Sequence, residues 1–240
     1  MPIFYFILFV IAALASGYLM GSISFAVLIS KHLYHINIYE VGSGNAGGTN
    51  VGRATGKKGA YLVIFLDALK CIIPIWIWFA LCRFTPIASL IPADIPLSFI
   101  YYTAGFGAAL GHTFPLYHGF KGGKAVSCYV GFVTATNPML LIVGLPVFLL
   151  VFFLTKRVSI GSIFIVIFGF IYSLFVVFYP QVFEWSFLFG QGYKFDSSYV
   201  YSIYMFVYAV FIIFMHRTNI KRIINKTEPE THYKKGTKKD

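Results

Sequence analysis

The stretch "AVSCYVGFVTATNPMLLIVGLPVFLLVFFL", residues 125–154, decides how many times this chain crosses a membrane. It carries no charged residue and is longer than the about 20 apolar residues that one spanning helix needs. Asn137-Pro138 interrupts it, and proline removes a backbone donor and disfavours the helical conformation of the residue before it. The stretch therefore forms either one long tilted helix or two short helices that meet at Pro138.

The composition around this stretch is that of an integral membrane protein. Of the 240 residues, 58% are hydrophobic and only 11% are charged, whereas soluble domains have about 25% charged residues. At this length we expect one membrane domain, residues 1–228, followed by a basic, disordered tail, residues 229–240. Other apolar runs long enough to span a membrane are 3–29, 60–82, 98–117, 160–180 and 198–215.

The positions of the positive charges favour two helices within 125–154. Lysine and arginine accumulate in cytoplasmic loops, and with two crossings only Arg83 and Lys194 lie opposite the other basic residues. With one crossing this asymmetry disappears. We therefore predict an all-α integral membrane protein with seven transmembrane helices, an outside N-terminus, a cytoplasmic C-terminus and glycine-rich cytoplasmic loops. The basic residues on the cytoplasmic side would be Lys31, Arg53, Lys57, Lys58, Lys121, Lys124, Lys156, Arg157 and those of the tail from Arg217 to Lys239.

The net charge of +11 does not indicate a nucleic-acid partner. A nucleic-acid-binding protein would place its basic residues along one soluble face, but here they lie in short patches between apolar runs. Membrane lipid is the partner that we expect for the basic tail, since anionic headgroups attract lysine and arginine. The sequence contains no HExxH motif and no Cys/His cluster, so we expect no metal, and nothing in it implies an obligate protein partner.

The first polar motif is "VGSGNAGGTNVGR", residues 41–53. Glycines such as Gly42 and Gly44 allow successive backbone N–H groups to form an anion-binding nest. Arg53 adds a planar guanidinium that suits phosphate. A flexible cytoplasmic loop is the alternative interpretation. Further side-chain donors to an anion would be Ser43, Asn45, Thr49 and Asn50.

The second polar motif is "LGHTFPLYHGFKGGKA", residues 110–125. Gly122 and Gly123 lie between Lys121 and Lys124, so backbone amides could approach a phosphate while the lysines neutralise its charge. The motif is not a nucleotide-hydrolysing P-loop, because Ala125 stands where a serine or threonine would follow the lysine. His112, at the end of an apolar helix, is either a further phosphate contact or a packed structural residue.

The third polar motif, "MHRTNIKRIINKTEPE" at residues 215–230, follows the last apolar run. His216 and Asn219 would share one face of a continuing helix and point back towards the cytoplasmic mouth of the bundle. We interpret Arg217, Lys221 and Arg222 as the positive-inside signal. In "TKRVSIGS", residues 155–162, Ser159 and Ser162 are plausible donors at a helix start.

Asp67 and Lys70 are the exceptional charges, since they lie inside the second apolar run. Charges within a membrane are costly and usually form pairs or face the interior of a bundle. Their spacing puts them on neighbouring positions of one helical face. A structural ion pair is the first interpretation, and a contact with substrate is the alternative.

With these motifs the chain resembles the PlsY family of bacterial, membrane-integral acyl-phosphate:glycerol-3-phosphate acyltransferases. The resemblance runs from "LMGSISFAVLISK" to Glu228, and its three motifs match "GSGNxGxTNxxR", "GHxxPxxxxFKGGK" and "HxxNIxR…E". The family commonly has glycine after "FKGGK", where this chain has Ala125.

The resemblance implies an enzyme that moves a fatty acyl group from acyl phosphate to the 1-hydroxyl of sn-glycerol 3-phosphate. The products would be lysophosphatidic acid and phosphate, in the first step of phospholipid synthesis at the cytoplasmic face of the bacterial membrane, with no cofactor. The catalytic residues that it implies are Ser43, Arg53, Lys124, His216 and Asn219. Its implied phosphate-loop and substrate contacts are Gly119, Gly122, Gly123 and Ser159, while Glu228 would be structural. The predicted phosphate-binding set also contains Gly42, Gly44, Asn45, Thr49, Asn50, His112 and Lys121.

We expect a direct, single-displacement reaction, because phosphate is already a good leaving group. Arg53 and Lys124 would hold the phosphates, and either His216 or Asn219 would orient the acceptor hydroxyl. The sequence does not identify the group that accepts the hydroxyl proton, and a phosphate oxygen of a bound substrate is one candidate. A membrane transporter of a phosphorylated solute is the alternative function, although it would favour inverted repeats, and we find no repeat.

Overall fold

The computed structural model describes residues 2–183 and 198–232, and these residues form helices and loops without a strand. Two short 3₁₀ helices, Pro86–Leu90 and Leu116–His118, lie in the connections. Lys194 of the predicted outer loop and the tail residues 233–240 lie outside the described residues. The α-helices are α1 (Pro2–Gly21), α2 (Phe25–Tyr34), α3 (Gly48–Thr55), α4 (Lys57–Phe84), α5 (Ser98–Thr113), α6 (Val126–Thr136), α7 (Pro138–Thr155), α8 (Val158–Phe178), α9 (Pro180–Phe183), α10 (Ser198–Met215) and α11 (Arg217–Ile224).

The long helices pack in a ring. Helix α1 lies against α5 and α4, and α4 also packs against α5 and α6. Helix α7 contacts α6 and α8, and α10 contacts both α8 and α5, which closes the ring. The short helices α2 and α3 pack against α4 at one end of the bundle.

The interruption predicted at Pro138 is confirmed. Helix α6 ends at Thr136 and α7 begins at Pro138, with Asn137 between them. The Asn137 side chain caps α7 by accepting a hydrogen bond from the backbone N–H of Leu140 at 3.2 Å. Proline at the first helical position loses nothing there, because an N–H at that position would have no partner within the helix. Residues 125–154 therefore contain two helices.

The lengths of the helices support some of the predicted membrane crossings but not all seven. Within residues 2–183 and 198–232, four helical segments are long and apolar enough to cross a membrane. Helices α10 and α11, which meet at a bend of 60°, make a fifth if they are counted as one span. Helix α5 has 16 residues and α6 has 11, fewer than the about 20 that a spanning helix needs. The chain is a membrane protein, while seven spans and their orientation stay predictions.

The first predicted span, residues 3–29, lies within Pro2–Tyr34, which is long and apolar enough to cross a membrane, but a short break interrupts its helix. Helix α1 ends at Gly21 and α2 begins at Phe25. The carbonyl of Ile23, in the break, accepts a hydrogen bond from Lys70 Nζ at 2.7 Å. Lys70 Nζ also lies 2.9 Å from Asp67 Oδ1, which confirms the predicted ion pair. The pair thus holds the interruption after α1 against α4.

Glycines let the helices approach closely at two crossings. A Cβ on Gly111 of α5 would lie 2.1 Å from the carbonyl oxygen of Tyr18 in α1. At the α4–α6 crossing, a Cβ on Gly131 would lie 2.3 Å from the carbonyl oxygen of Ala68. Small residues allow such close backbone packing between membrane helices.

Aromatic side chains form the core where α5, α6 and α10 meet. Tyr102, Phe132, Tyr201 and Tyr208 are all fully buried. The ring centres of Tyr102 and Phe132 are 5.2 Å apart, and those of Phe132 and Tyr208 are 4.8 Å apart. This core fixes the positions of the helices that surround the polar end of the bundle.

Candidate active site

One end of the bundle gathers the three polar motifs. The Tyr39 hydroxyl donates to the carbonyl of Lys121 at 2.7 Å, which links the segment of the first motif to the second motif. Thr231 donates its backbone N–H to the carbonyl of Lys156 at 2.8 Å, which holds the C-terminal segment against the turn between α7 and α8. The domain boundary at residue 228 stays a prediction, although Thr231 beyond it makes this contact.

The loop before α3 is held by the side chain of Asn50. Asn50 Oδ1 accepts the backbone N–H of Ser43 at 2.8 Å, and Nδ2 donates to the carbonyl of Val41 at 2.9 Å. Gly42 has a φ of +57°, and a Cβ there would lie 2.2 Å from Asn50 Oδ1. The buried Asn50 amide is therefore used in shaping the loop.

The backbone amides at the centre of this loop do not form the predicted anion-binding nest. The N–H of Gly44 donates to the carbonyl of Val41, and the N–H of Gly47 donates to that of Asn45. The N–H of Ser43 is taken by Asn50. The nest prediction was wrong for these three amides, because each of them already donates to an acceptor in the protein.

Arg53 is the cation that this segment contributes to the site. It lies in the last turn of α3 and lines a cavity together with Ser43 and Thr49. Within residues 2–183 and 198–232, its guanidinium has neither a hydrogen bond nor an ion pair with another residue. A partly buried guanidinium without a protein partner is suited to bind a phosphate.

The second motif wraps tightly around His112. Gly123 donates its N–H to the carbonyl of His112 at 3.1 Å. A Cβ on Gly122 would lie 2.0 Å from that carbonyl oxygen, and one on Gly123 would lie 2.1 Å from His112 Nε2. The adjacent glycines are therefore required by packing. The other ring nitrogen of His112, Nδ1, lies 3.4 Å from Asp67 Oδ1. The glycine loop of the second motif therefore packs on a histidine that contacts the buried Asp67–Lys70 ion pair.

Ala125, where the family resemblance predicts glycine, adopts a left-handed conformation with a φ of +60°. Such a conformation costs an L-residue roughly 1–2 kcal/mol, which glycine avoids. The turn into α6 is therefore formed despite the departure from the family pattern.

A chain of hydrogen bonds joins the second and third motifs. Lys124 Nζ donates to Asn219 Oδ1 at 2.5 Å, and Asn219 Nδ2 donates to Glu228 Oε1 at 2.7 Å. Glu228 Oε1 also accepts the Ser159 hydroxyl at 2.7 Å, and Oε2 accepts Arg222 Nε at 2.7 Å. Glu228 is 5% exposed, so one buried anion organises the polar side chains around it.

This environment shifts the pKa of both Lys124 and Glu228. Burial lowers the pKa of Lys124 to about 8; the Glu228 carboxylate opposes this shift, while Arg222 and Arg53 add to it. Burial alone would raise the pKa of Glu228, but hydrogen bonds from Ser159, Arg222 and Asn219 outweigh burial and lower it. Glu228 is therefore ionised at neutral pH, and Lys124 is protonated but close to its titration point.

His216 lies at the bend between α10 and α11. Its Nδ1 is 2.8 Å from the carbonyl oxygen of Ile212. Since a carbonyl only accepts, Nδ1 carries the proton. The other nitrogen, Nε2, has no hydrogen bond from the described part of the chain, and His216 lines the cavity. One ring nitrogen thus remains for a ligand.

The polar groups open into a cavity of about 460 Å³. Its other walls are mostly apolar and come from α4, α6, α7 and α8. On α7 the lining residues lie at helical spacing on one face, from Leu140 to Phe152. At a rise of about 1.5 Å per residue, this face extends over about 18 Å. The cavity therefore joins a cationic end to an elongated apolar arm.

The structure brings most of the predicted site residues to this cavity, but not all. Those that line it are Ser43, Asn45, Thr49, Asn50, Arg53, His112, Gly123, Lys124, Ser159, His216, Asn219 and Glu228. Those that do not are Gly42, Gly44, Gly119, Lys121 and Gly122. The roles of both groups stay predictions.

The lining also includes polar residues that the sequence did not suggest for the site, among them Ser127, Arg222 and Thr231. We interpreted Arg222 as a positive-inside charge only. Its spacing of three from Asn219 places both on one helical face, and this signal was available in the sequence. Ser127 and Thr231 had no comparable signal, since each reaches the cavity through tertiary packing.

The family model and the curated relatives that match this chain carry the same description. A model of the family described as glycerol-3-phosphate acyltransferase matches residues 11–226. The glycerol-3-phosphate acyltransferase of Mycoplasma mycoides subsp. mycoides SC is 34% identical, over 94% of this chain and 94% of the relative. That of Chlorobium phaeobacteroides is also 34% identical, over 91% of this chain and 94% of the relative.

Two solved structures are similar to this chain along nearly its whole length. Both are of PlsY (YgiH), described as an integral membrane glycerol 3-phosphate acyltransferase. The glycerol 3-phosphate form is 31% identical, with a TM-score of 0.71 over 93% of this chain and 96% of the other. The lysophosphatidic acid form is 31% identical, with a TM-score of 0.69 over 92% and 94%.

Proposed function

This chain belongs to the glycerol-3-phosphate acyltransferase family, and on that premise we propose that it takes its acyl group from acyl phosphate. The acceptor in this proposal is the 1-hydroxyl of glycerol 3-phosphate, and the products are lysophosphatidic acid and inorganic phosphate. No cofactor takes part.

The observation that carries the proposal is a cavity that has a cationic end and an apolar arm. Arg53 and Lys124 lie at its polar end, and the face of α7 that lines it is apolar from Leu140 to Phe152. A substrate that carries both a phosphate and a fatty chain matches this arrangement. Both substrates bring a phosphate to the site. Of the three cations that line the cavity among the described residues, Arg222 is paired with Glu228, which leaves Arg53 and Lys124 to receive the phosphates.

The side chains of Lys124 and Arg53 differ in how firmly the surrounding residues hold them. Lys124 is held by Asn219 at 2.5 Å, and Asn219 is held in turn by Glu228. Arg53 is not tied to any described residue and lies on a different element. We assign Lys124 to the phosphate that must be held still during the displacement, and Arg53 to the second phosphate. Hydrogen bonds to charged groups stabilise such complexes by about 1.5–3 kcal/mol each.

Of the two residues expected to orient the acceptor hydroxyl, His216 fits better than Asn219. Both ends of the Asn219 amide are already used by Lys124 and Glu228, whereas Nε2 of His216 has no partner among the described residues. Asn219 would therefore act through Lys124, as a positioning residue.

In the proposed reaction, the 1-hydroxyl oxygen of glycerol 3-phosphate attacks the acyl carbonyl carbon directly. The new ester bond forms, the bond between the carbonyl carbon and the bridging phosphate oxygen breaks, and phosphate leaves with the electron pair. The hydroxyl proton passes to a phosphate oxygen of a bound substrate. The cations stabilise the charge that develops, which is usually the largest contribution of a preorganised site.

We propose that this site faces the cytoplasm. The basic residues of the loops around the cavity favour that side under the positive-inside rule. A soluble, phosphorylated acceptor would then enter from the cytoplasm, while the apolar arm would accept the fatty chain.

An assay of purified protein tests the proposal. Palmitoyl phosphate and glycerol 3-phosphate are supplied together, with palmitoyl-CoA as the alternative donor, and released phosphate and lysophosphatidic acid are measured. We expect product from palmitoyl phosphate only, and loss of it in Arg53→Ala and Lys124→Ala. Lys58→Ala, which removes an exposed lysine outside the cavity, is the matched control and should remain active.

Two results would contradict the proposal. Product from palmitoyl-CoA but not from palmitoyl phosphate would show that the acyl donor is acyl-CoA and not acyl phosphate. No product from folded protein, together with uptake of glycerol 3-phosphate into vesicles that contain it, would support the transporter.

A further inference from the structure

We propose that Gly144 of α7, together with Ile165 of α8, sets the length of the acyl chain that this enzyme accepts. The inference rests on the proposed function, because it assumes that the acyl chain occupies the apolar arm of the cavity. It adds the residues that would distinguish long chains from short ones.

Gly144 is the gap in the apolar face of α7. The lining residues of this helix run from Leu140 to Phe152, and all the others on that face are leucine or phenylalanine. Gly144 is buried, lines the cavity and has no side chain to fill it. The arm is therefore wide at this point because of one residue.

The arm is closed beyond Gly144. Val133 of α6 and Leu140 of α7 both line the cavity, and each is only 2% exposed. They flank the turn between α6 and α7, where Asn137 is fully buried. A chain that enters from the polar end is thus blocked by side chains there.

The length of the apolar face of α7 is close to that of an acyl chain that spans one leaflet of a bilayer. From Phe152 near the polar end to Gly144 the helix rises about 12 Å, and from Gly144 to Leu140 about 6 Å more. The total of about 18 Å is close to half of the about 30 Å hydrocarbon core of a bilayer, which is the depth of one leaflet. Gly144 therefore lies at the start of the last third of the arm.

Ile165 is the side chain that responds to any change at Gly144. A Cβ on Gly144 would lie 2.8 Å from Ile165 Cδ1. This atom is the end of a flexible side chain, so it can move, and Ile165 also lines the cavity. An added methyl group would push Ile165 into the arm, and a leucine would fill the arm one helical turn before its closed end.

The test compares donors of two lengths in matched variants. The values of kcat/KM with stearoyl phosphate and lauroyl phosphate are measured for wild type, Gly144→Leu, Gly144→Ala and the double variant Gly144→Ala/Ile165→Val. Ile142→Phe changes the outward face of α7, where Ile142 is 65% exposed, and is the control. A lauroyl chain is shorter than a stearoyl chain by about a third, so it should end near Gly144.

We expect the stearoyl-to-lauroyl ratio to fall at least about tenfold in Gly144→Leu, since each excluded methylene corresponds to about a fourfold loss. Gly144→Ala should show a smaller fall, and Ile165→Val in the double variant should restore the wild-type ratio by removing Cδ1. Ile142→Phe should leave the ratio unchanged.

An unchanged ratio in Gly144→Leu, with lauroyl activity retained, would overturn the inference. If Gly144→Leu does not fold, Gly144→Ala and its rescue by Ile165→Val decide the question in the same way. If wild type makes no product from either acyl phosphate, the proposed function fails instead. The inference is then tested by binding of lauroyl and stearoyl lysophosphatidic acid to the same variants, and an equal ratio in wild type and Gly144→Leu would overturn it.

Discussion

At the scale of single residues, the polar end of the cavity depends on one buried carboxylate. Glu228 accepts hydrogen bonds from Ser159, Asn219 and Arg222. Asn219 in turn accepts a hydrogen bond from Lys124, so Glu228 helps to position this lysine through Asn219. The sequence predicted Glu228 as structural, by family resemblance, and Lys124 as catalytic. It did not predict that Asn219 connects them, because Lys124 and Asn219 are 95 positions apart along the chain.

The titration of Lys124 gives a prediction about pH. Burial lowers the pKa of this lysine to about 8, and a lysine loses its charge as the pH rises through its pKa. We expect kcat/KM to fall as the pH increases through about 8, because kcat/KM reports the ionisation of the free enzyme. The substrate phosphates do not produce this limb, since phosphate esters titrate at about pH 6.

Lys124→Arg is the matched variant for this measurement, since guanidinium keeps its charge at every pH of the assay. Any activity that it retains should not fall as the pH rises from neutral into the alkaline range. A wild-type profile that is flat across this range would contradict the assigned role of Lys124.

At the scale of helices, close crossings determine the arrangement of the bundle. The sequence predicted the break at Pro138, because proline acts locally on the residue before it. It did not predict the break between Gly21 and Phe25, since the apolar run continues through that point. The contact from Lys70 to the carbonyl of Ile23 comes from another helix, and no local pattern specifies it.

The crossing of α1 and α5 gives a prediction about stability. A Cβ on Gly111 would lie 2.1 Å from the carbonyl oxygen of Tyr18 and 2.7 Å from the backbone nitrogen of Ser22. Since both are backbone atoms, the helices must move apart. We expect Gly111→Ala to lower the free energy of unfolding by about 1–3 kcal/mol, as overpacking does.

The unfolding temperature of the protein in detergent measures this effect. Gly47→Ala is the control, because a Cβ there has no neighbour within 4 Å and its φ of −156° suits any residue. Equal unfolding temperatures for the two variants would show that α1 and α5 are not packed as closely as described.

At the scale of the whole molecule, the predicted topology remains to be tested. The all-helical fold and the membrane location follow from composition and apolar runs, which the sequence displays directly. Helices α5 and α6, with 16 and 11 residues, are shorter than the usual span of about 20. The asymmetric distribution of positive charge favours seven crossings, whereas the lengths of the helices in the described part of the chain support four or five.

Labelling of single cysteines from outside intact cells distinguishes these topologies. Ser89→Cys and Met139→Cys lie at connections predicted outside, and Lys58→Cys lies at one predicted inside. We expect an impermeant maleimide to react at residues 89 and 139 but not at residue 58. The native Cys71, Cys82 and Cys128 are buried, so wild type should stay unlabelled.

Reaction at residue 58 but not at residue 89 would reverse the predicted orientation. Reaction at residue 89 without reaction at residue 139 would argue against two crossings by α6 and α7. Wild type and the variants are also labelled after the membrane is opened, as the control for accessibility.

In the proposed mechanism, one cavity brings both substrates together and the acyl group passes directly from one to the other. The most direct test adds radiolabelled palmitoyl phosphate to the purified protein with and without glycerol 3-phosphate, and then measures label on the denatured protein and in lysophosphatidic acid. We expect no label on the protein in either case, and labelled lysophosphatidic acid only when glycerol 3-phosphate is present. Label that stays on the protein without glycerol 3-phosphate, and moves to lysophosphatidic acid when it is added, would contradict direct transfer.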